Sequence, residues 1–187
     1  MRKLVNGLAT SKGLLSETIL FGIIMKSSGI VPPMFLKIAI GSDHHGVPLR
    51  MKLAELLRQA GHFISEAGPA LDELQPVDYP DVAAQIALRV STGELDRGIL
   101  ICGTGVGMSI AANKFPRVRA APVIDELSAE LCRRHHDLNV LCIGNEMLSE
   151  EQILLIVHVW LYTSFDGGRH ERRINKIRSV EHDLGMS

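Results

Sequence analysis

A chain of 187 residues suits one ordinary domain with a sizeable core and an appendage, and is too short for two full domains. Its 20 Lys+Arg against 21 Asp+Glu give a formal net charge of −1, which excludes a basic field for non-specific nucleic-acid binding and an acidic tail. Aromatics are only 4%, too few for a base-stacking platform; three cysteines without CxxC spacing exclude a disulfide framework and fit a reducing cytoplasm; and no apolar run reaches the roughly 18 residues of a membrane span.

Residues 1–35 read differently from the rest. Arg2, Lys3, Lys12 and Lys26 against the single Glu17 make this segment +3 and leave −4 for the remaining 152 residues. The apolar run Ile19 to Met25 is short, and no small-residue cleavage site follows it, so it makes a poor signal peptide. Val31-Pro32-Pro33 then breaks any regular structure. The segment is expected to be a dispensable extension, disordered or lying upstream of a true start at Met34, with an amphipathic leader as the alternative. Residues 36–187 are expected to form the functional domain.

From Leu36 onward, strands alternate with helices. Leu36 to Gly41 is a short, nearly all-apolar run ended by glycine, the pattern of a buried parallel strand. Residues 47–60 place Leu49, Leu53, Leu56 and Leu57 on one helical face, with Pro48 near the start and Gly61 past the end. Phe63-Ile-Ser65 is a weak second strand. A polar loop over 68–78 leads to a helix from Pro80 to Ser91. Gly98 to Gly103 is the clearest strand, followed by a glycine-rich turn and a helix through Ile110 to Ala112. Val118 to Pro122 is a fourth strand, with a helix from Asp125 to His135. Asn139 to Gly144 is the fifth, and Ser149 with Gln152 forms a capping box for the next helix. Repeated β-then-α units imply an α/β fold, an open five-stranded parallel sheet covered on both faces. The last helix, Arg169 to Leu184, follows Asp166-Gly-Gly168, a hinge. Its apolar stripe of Ile174, Ile177, Val180 and Leu184 is thin, which predicts an arm packed on a second subunit.

In an open parallel sheet, ligands bind beyond the carboxyl ends of the strands. Strand one ends there in Asp43-His44-His45 and strand three in Cys102-Gly-Thr-Gly-Val-Gly107. Asp125 and the Arg133 to His136 run, which follow strand four, complete the set of candidate strand-end groups. The glycine turn can present backbone amides to an anion. It is not a dinucleotide fingerprint, because Met108 stands where G-x-G-x-x-G requires glycine, and it lacks the Gly-Lys-Ser/Thr of a P-loop. Cys102, beside that turn, can serve as a thiolate nucleophile or base, whereas Cys132 and Cys142 read as ordinary packing residues. The eight histidines show neither HExxH nor paired Cys/His spacing, so no metal site is expected. Asp43 reads either as a hydroxyl or proton-handling group or as a cap for the next helix. The Arg169, Arg172 and Arg173 cluster reads equally as a phosphate clamp or a solvated arm.

Gly41-Ser-Asp43-His44, Asp78-Tyr79-Pro80, Gly98-Ile-Leu-Ile-Cys102-Gly-Thr-Gly-Val-Gly107, Ser109-Ile-Ala-Ala-Asn113-Lys114, Asn139-Val-Leu and Gly167-Gly-Arg169-His170 together resemble the ribose-5-phosphate isomerase B family, which includes galactose- and allose-phosphate isomerases. The likeness runs over residues 36–184. It implies a Rossmann-like three-layer sandwich, homodimers or homotetramers with shared active sites, and aldose–ketose isomerisation of a sugar phosphate without metal or cofactor. By position, it implies that Cys102 moves the proton between C1 and C2, assisted by Thr104. The amides of Gly103, Gly105, Val106 and Gly107 would hold the enediolate, Asp43 would shuttle a hydroxyl proton, and His135 of a partner subunit would open the ring. His44, Arg169 and Arg173 would hold phosphate, with Tyr79 and His136 also lining the substrate. Two positions depart from the family pattern: His136 stands where asparagine is usual, and Glu146 where a phosphate-binding arginine is common. The leading expectation is interconversion of ribose 5-phosphate and ribulose 5-phosphate in the cytoplasm. A tetrose- or hexose-phosphate isomerase, a non-catalytic sugar-phosphate binder and a nucleotide-dependent oxidoreductase are the alternatives.

Overall fold

The computed structural model describes residues 35–72 and 77–185, so the expectation for 1–35 lies outside the described residues except at Phe35. Five strands, β1 (Lys37–Ser42), β2 (Phe63–Ala67), β3 (Arg97–Cys102), β4 (Ala120–Pro122) and β5 (Val140–Gly144), form one parallel sheet in the order β2-β1-β3-β5-β4. Between and after them run helices α1 (Val47–Gln59), α2 (Tyr79–Ser91), α3 (Val106–Ala112), α4 (Glu126–His136), α5 (Glu150–Tyr162) and α6 (Arg169–Asp183). This is the three-layer α/β sandwich read from the sequence, with α6 as its C-terminal arm.

The three central strands are buried on both faces because helices cover both. Alternation divides their side chains: Ala39, Leu100, Cys102, Val140 and Cys142 join the core beneath α2 and α3, while Ile38, Ile40, Ile99, Ile101, Leu141 and Ile143 point the other way. Trp160 of α5 is fully buried, and its indole donates to the Leu138 carbonyl, 3.2 Å away. Helix starts follow their local chemistry: Pro48 and Pro80 stand in first turns, and capping boxes at Asp125/Ser128 and Ser149/Gln152 open α4 and α5.

Two boundaries differ from expectation. β2 continues through Glu66 and Ala67, which pair with Ile40 and Gly41. Arg50, almost fully buried, supports this end by donating to Ser42 Oγ, to the Ala67 and Pro69 carbonyls and to Glu66. β4 is shorter than expected and starts at Ala120. Asn139 takes the Arg119 amide and the Arg117 carbonyl, Arg117 has φ +64°, and Asn113 clasps Ala120. Side-chain amides there replace the ladder a longer strand would make.

α6 packs against α4 but buries only His170 and Ile174. Ile177, Val180 and Leu184 remain 49%, 57% and 70% exposed, so most of the stripe has no cover among the described residues.

Beside the sheet, buried His62 accepts the Leu36 amide at Nδ1 and meets the Tyr162 hydroxyl at Nε2. Burial lowers the His62 pKa from its ordinary 6.5 and pushes the Tyr162 hydroxyl up to about 12. The folded state therefore binds this proton less readily than the unfolded chain, and stability present above pH 6.5 is lost as pH falls toward the depressed folded value. The urea midpoint should drop on going from about pH 7 to about pH 5, and His62→Gln should flatten that dependence. An equal slope in the variant would assign the acid sensitivity elsewhere.

Candidate active site

The sheet order places the topological switch between β1 and β3, whose following connections leave in opposite directions. The loops after these strands therefore lie side by side, and the loop after β5 joins them. Asp43 donates its amide to the Ile101 carbonyl, Asn145 and Glu146 donate theirs to the Cys102 and Gly103 carbonyls, and the Asn145 side chain donates to the His45 carbonyl. Residues far apart in sequence are thereby fixed around one turn.

That turn is Gly103-Thr-Gly-Val-Gly107. Gly105 has φ +76°, which glycine adopts without strain, and its amide points at Cys102 Sγ, 3.2 Å away. Cys102 is 5% exposed, at the end of β3, with a hydrogen-bond donor directed at its sulfur. Burial pushes the Cys132 thiol upward, and burial followed by the neighbouring Cys102 sulfur pushes Cys142 up most strongly. Thr104 is exposed, and its hydroxyl accepts from the Val106 amide. Tyr79 lies on the turn: a Cβ at Gly107 would come within 2.6 Å of its ring, so the ring packs only because residue 107 is glycine.

Across the seam, Asp43 is 6% exposed and accepts the His45 amide at 2.9 Å. It does not cap α1, whose N-cap is Gly46 with no side-chain bond. Exposed His44 and His45 lie with ring centroids 3.9 Å apart and planes tilted by 39°. Asp43, His44, Tyr79, Cys102, Thr104 and the amides of Gly103, Gly105, Val106 and Gly107 thus belong to one cleft. His45 and Glu146 belong there too, although the resemblance assigned no role to His45.

His135, His136, Arg169 and Arg173 stand elsewhere. α4 runs antiparallel to the strands, so His135 and His136 at its end lie near the start of β5, at the amino edge of the sheet. The Arg133 to His136 run is therefore not a strand-end group of its own chain, which corrects that grouping. Here a second cluster forms. His135 stacks on buried His170 at 4.3 Å with rings 5° apart, Arg169 Nε donates to His170 Nε2, and Asp166 accepts from Arg134 Nε with both oxygens. The Arg134 contact holds the Asp166 carboxyl below its usual range, and burial followed by the neighbouring cations lowers the His170 pKa. Arg172 and Arg173 are exposed beside it. The sequence pattern carried no sign of the His135–His170 stack, since its members are 35 residues apart and only the α4–α6 packing joins them.

Two groups bring metal-type donors within 4.8 Å of one another: Asp43, His44 and His45, and His135, Asp166 and His170. In the second, both carboxylate oxygens are already engaged by Arg134, and the neighbouring arginines favour an anion over a cation.

An open parallel sheet with an amide-lined, cysteine-bearing turn at its switch point is the arrangement in which α/β proteins bind ligands beyond the carboxyl ends of their strands. Comparison with known proteins names the family. The Ribose/Galactose Isomerase family model matches residues 38–177, and the chain belongs to that family. Ribose-5-phosphate isomerase B of Escherichia coli is 44% identical over 145 residues, covering 78% of this chain and 96% of that protein. The structure of Clostridium thermocellum ribose-5-phosphate isomerase B superposes with a TM-score of 0.75 at 42% identity, covering 80% of this chain and 99% of the other. That of the Mycoplasma genitalium enzyme, solved with bound ribulose-5-phosphate, gives 0.74 at 41% identity and covers 78% and 96%.

The cleft depends on close approach of β5 to the turn. A Cβ at Gly144 would lie 2.8–2.9 Å from Thr104 backbone atoms, a distance that forces the turn to move. Gly144→Ala should lower unfolding free energy by about 1–3 kcal/mol, measured by urea denaturation; an unchanged midpoint would show that the turn yields freely.

Proposed function

We propose that this protein interconverts an aldose phosphate and its ketose phosphate through an enediolate, with ribose 5-phosphate and ribulose 5-phosphate as the leading pair. The observation that carries this reading is the Cys102 sulfur, set against the Gly105 amide at 3.2 Å, with Asp43 on the adjoining loop. Proton transfer α to a carbonyl needs a base on the carbon and donors for the oxygen that becomes negative. Cys102 as thiolate supplies the first, and the second comes from amides of the Gly103 to Gly107 turn other than those of Gly105 and Val106, which are directed at Cys102 Sγ and Thr104 Oγ1. Thr104 assists at the same oxygen. Asp43 handles the hydroxyl proton that must move when carbonyl and hydroxyl exchange places, and its ordinary carboxylate chemistry suits that task.

Ring opening falls to His135, and phosphate binding to Arg169, Arg173 and His44, with His136 and Tyr79 against the sugar. Because His135 and the arginines lie at the amino edge of their own sheet, this reading requires a second copy to bring them to the cleft. The exposed Ile177, Val180 and Leu184 on α6 supply apolar surface for that association. The free thiols suit a cytoplasmic setting. A different sugar phosphate, tetrose or hexose, is favoured by one observation, the Glu146 carboxylate at the turn.

The test is isomerisation of a panel of four-, five- and six-carbon aldose phosphates. Cys102→Ala should lower kcat by at least about 100-fold, and His135→Ala should impair cyclising substrates far more than a tetrose phosphate, which cannot close a comparable ring through a phosphorylated end. Full activity of Cys102→Ala, or no turnover of any panel member by the wild type, would overturn the reading.

A further inference from the structure

Glu146 puts a carboxylate where the turn would otherwise offer only amides. Its amide donates to the Gly103 carbonyl at 3.2 Å, and its neighbour Asn145 is tied to Cys102 and to His45, so the backbone at 146 is held over the turn. The side chain lies back across it. A Cβ built on Gly103 would stand 3.2 Å from both carboxylate oxygens, which sets the carboxylate directly against the turn. His45 bridges to the buried acid of the cleft: its Nε2 is 3.9 Å from Glu146 Oε1 and its Nδ1 3.5 Å from Asp43 Oδ1. An acid–imidazole–acid row thus borders one side of the cleft, while the arginines lie on the other cluster.

A phosphate dianion next to this row meets like charge. A sugar hydroxyl meets an acceptor, since an ionised carboxylate carries only acceptor sites and can take two hydroxyls at once. The geometry points to Glu146 as a specificity-determining residue that accepts hydroxyls from the uncharged carbons of the substrate and turns its phosphate away from the Gly103 side. The ligand class is therefore a polyhydroxylated sugar phosphate bound in one direction, its hydroxyl-bearing chain against Glu146. This rests on the sugar-phosphate reading above and adds to it the orientation of the substrate.

Calorimetric titration of the full chain with ribitol 5-phosphate and, separately, with inorganic phosphate tests this without any turnover. Glu146→Gln keeps the shape and removes the charge, and at 59% side-chain exposure it should leave folding intact, checked by the urea midpoint. In the wild type the alditol phosphate should bind more tightly than inorganic phosphate. In Glu146→Gln that ratio should fall about tenfold, through weaker alditol phosphate binding and tighter inorganic phosphate binding. Glu146→Arg should carry the second change further. An unchanged ratio in both variants, with the wild type binding alditol phosphate and Cys102→Ala inactive, overturns the role of Glu146 and leaves the isomerase reading standing. A wild type that binds no alditol phosphate overturns both.

Discussion

Two backbone hydrogen bonds, from the Asn145 and Glu146 amides to the Cys102 and Gly103 carbonyls, hold the cleft together, because they close the gap between β5 and the end of β3. A parallel sheet covered on both faces leaves polar backbone free only at strand ends, and those groups must find partners there. Here the partners come from the next strand's loop, and the need for backbone to approach backbone explains the glycines. A Cβ at Gly144 would come within 2.8–2.9 Å of Thr104 backbone atoms, and one at Gly105 within 3.1–3.3 Å of the Ile143 and Cys142 backbone. The same tight approach turns the Gly105 amide toward the Cys102 sulfur. Satisfying the sheet edge and assembling the site are one structural act.

The same edge explains why one cysteine differs from the others. Cys102 and Cys142 lie on one face, two β-ladder positions apart, and both are buried. Cys142 has hydrocarbon around it, and burial raises its thiol pKa steeply. Cys102 differs by standing at the last position of its strand, where the chain turns and presents an amide. Position in the strand, rather than burial, separates the sulfur proposed as the base from a packing residue.

Much of this was legible in the sequence because the signals were local. Apolar runs ended by glycine marked β1, β3 and β5, and Ser149/Gln152 marked a helix start that the structure keeps. β2 was underread because Glu66 breaks the apolar pattern, and its polarity makes sense only beside Arg50 and Arg58, which lie 16 and 8 residues earlier. β4 was overread because the residues that end it, Asn113 and Asn139, act from other elements. The cleft divides the same way. Cys102 and its turn form one contiguous motif, whereas the approach of Asn145 to His45 spans 100 residues of chain and depends on the strand order.

Strand polarity also bears on how many chains the chemistry needs. α4 has 11 residues, about 16 Å of helix, and it carries the chain from the carboxyl edge of the sheet back to the amino edge. His135 at its end therefore stands at the opposite edge of the sheet from Cys102 within one chain. The charges are divided likewise, with acids and amides at one edge and Arg134, Arg169, Arg172 and Arg173 at the other. On the proposed chemistry a sugar phosphate needs both sets, the amides for its developing oxyanion and the arginines for its phosphate. The uncovered stripe on α6 begins beside the arginine cluster, so a contact made through that stripe would carry the cationic edge of one copy toward another. On that proposal, the direction of a single helix is what separates the two sets within one chain and makes a second copy the source of the other.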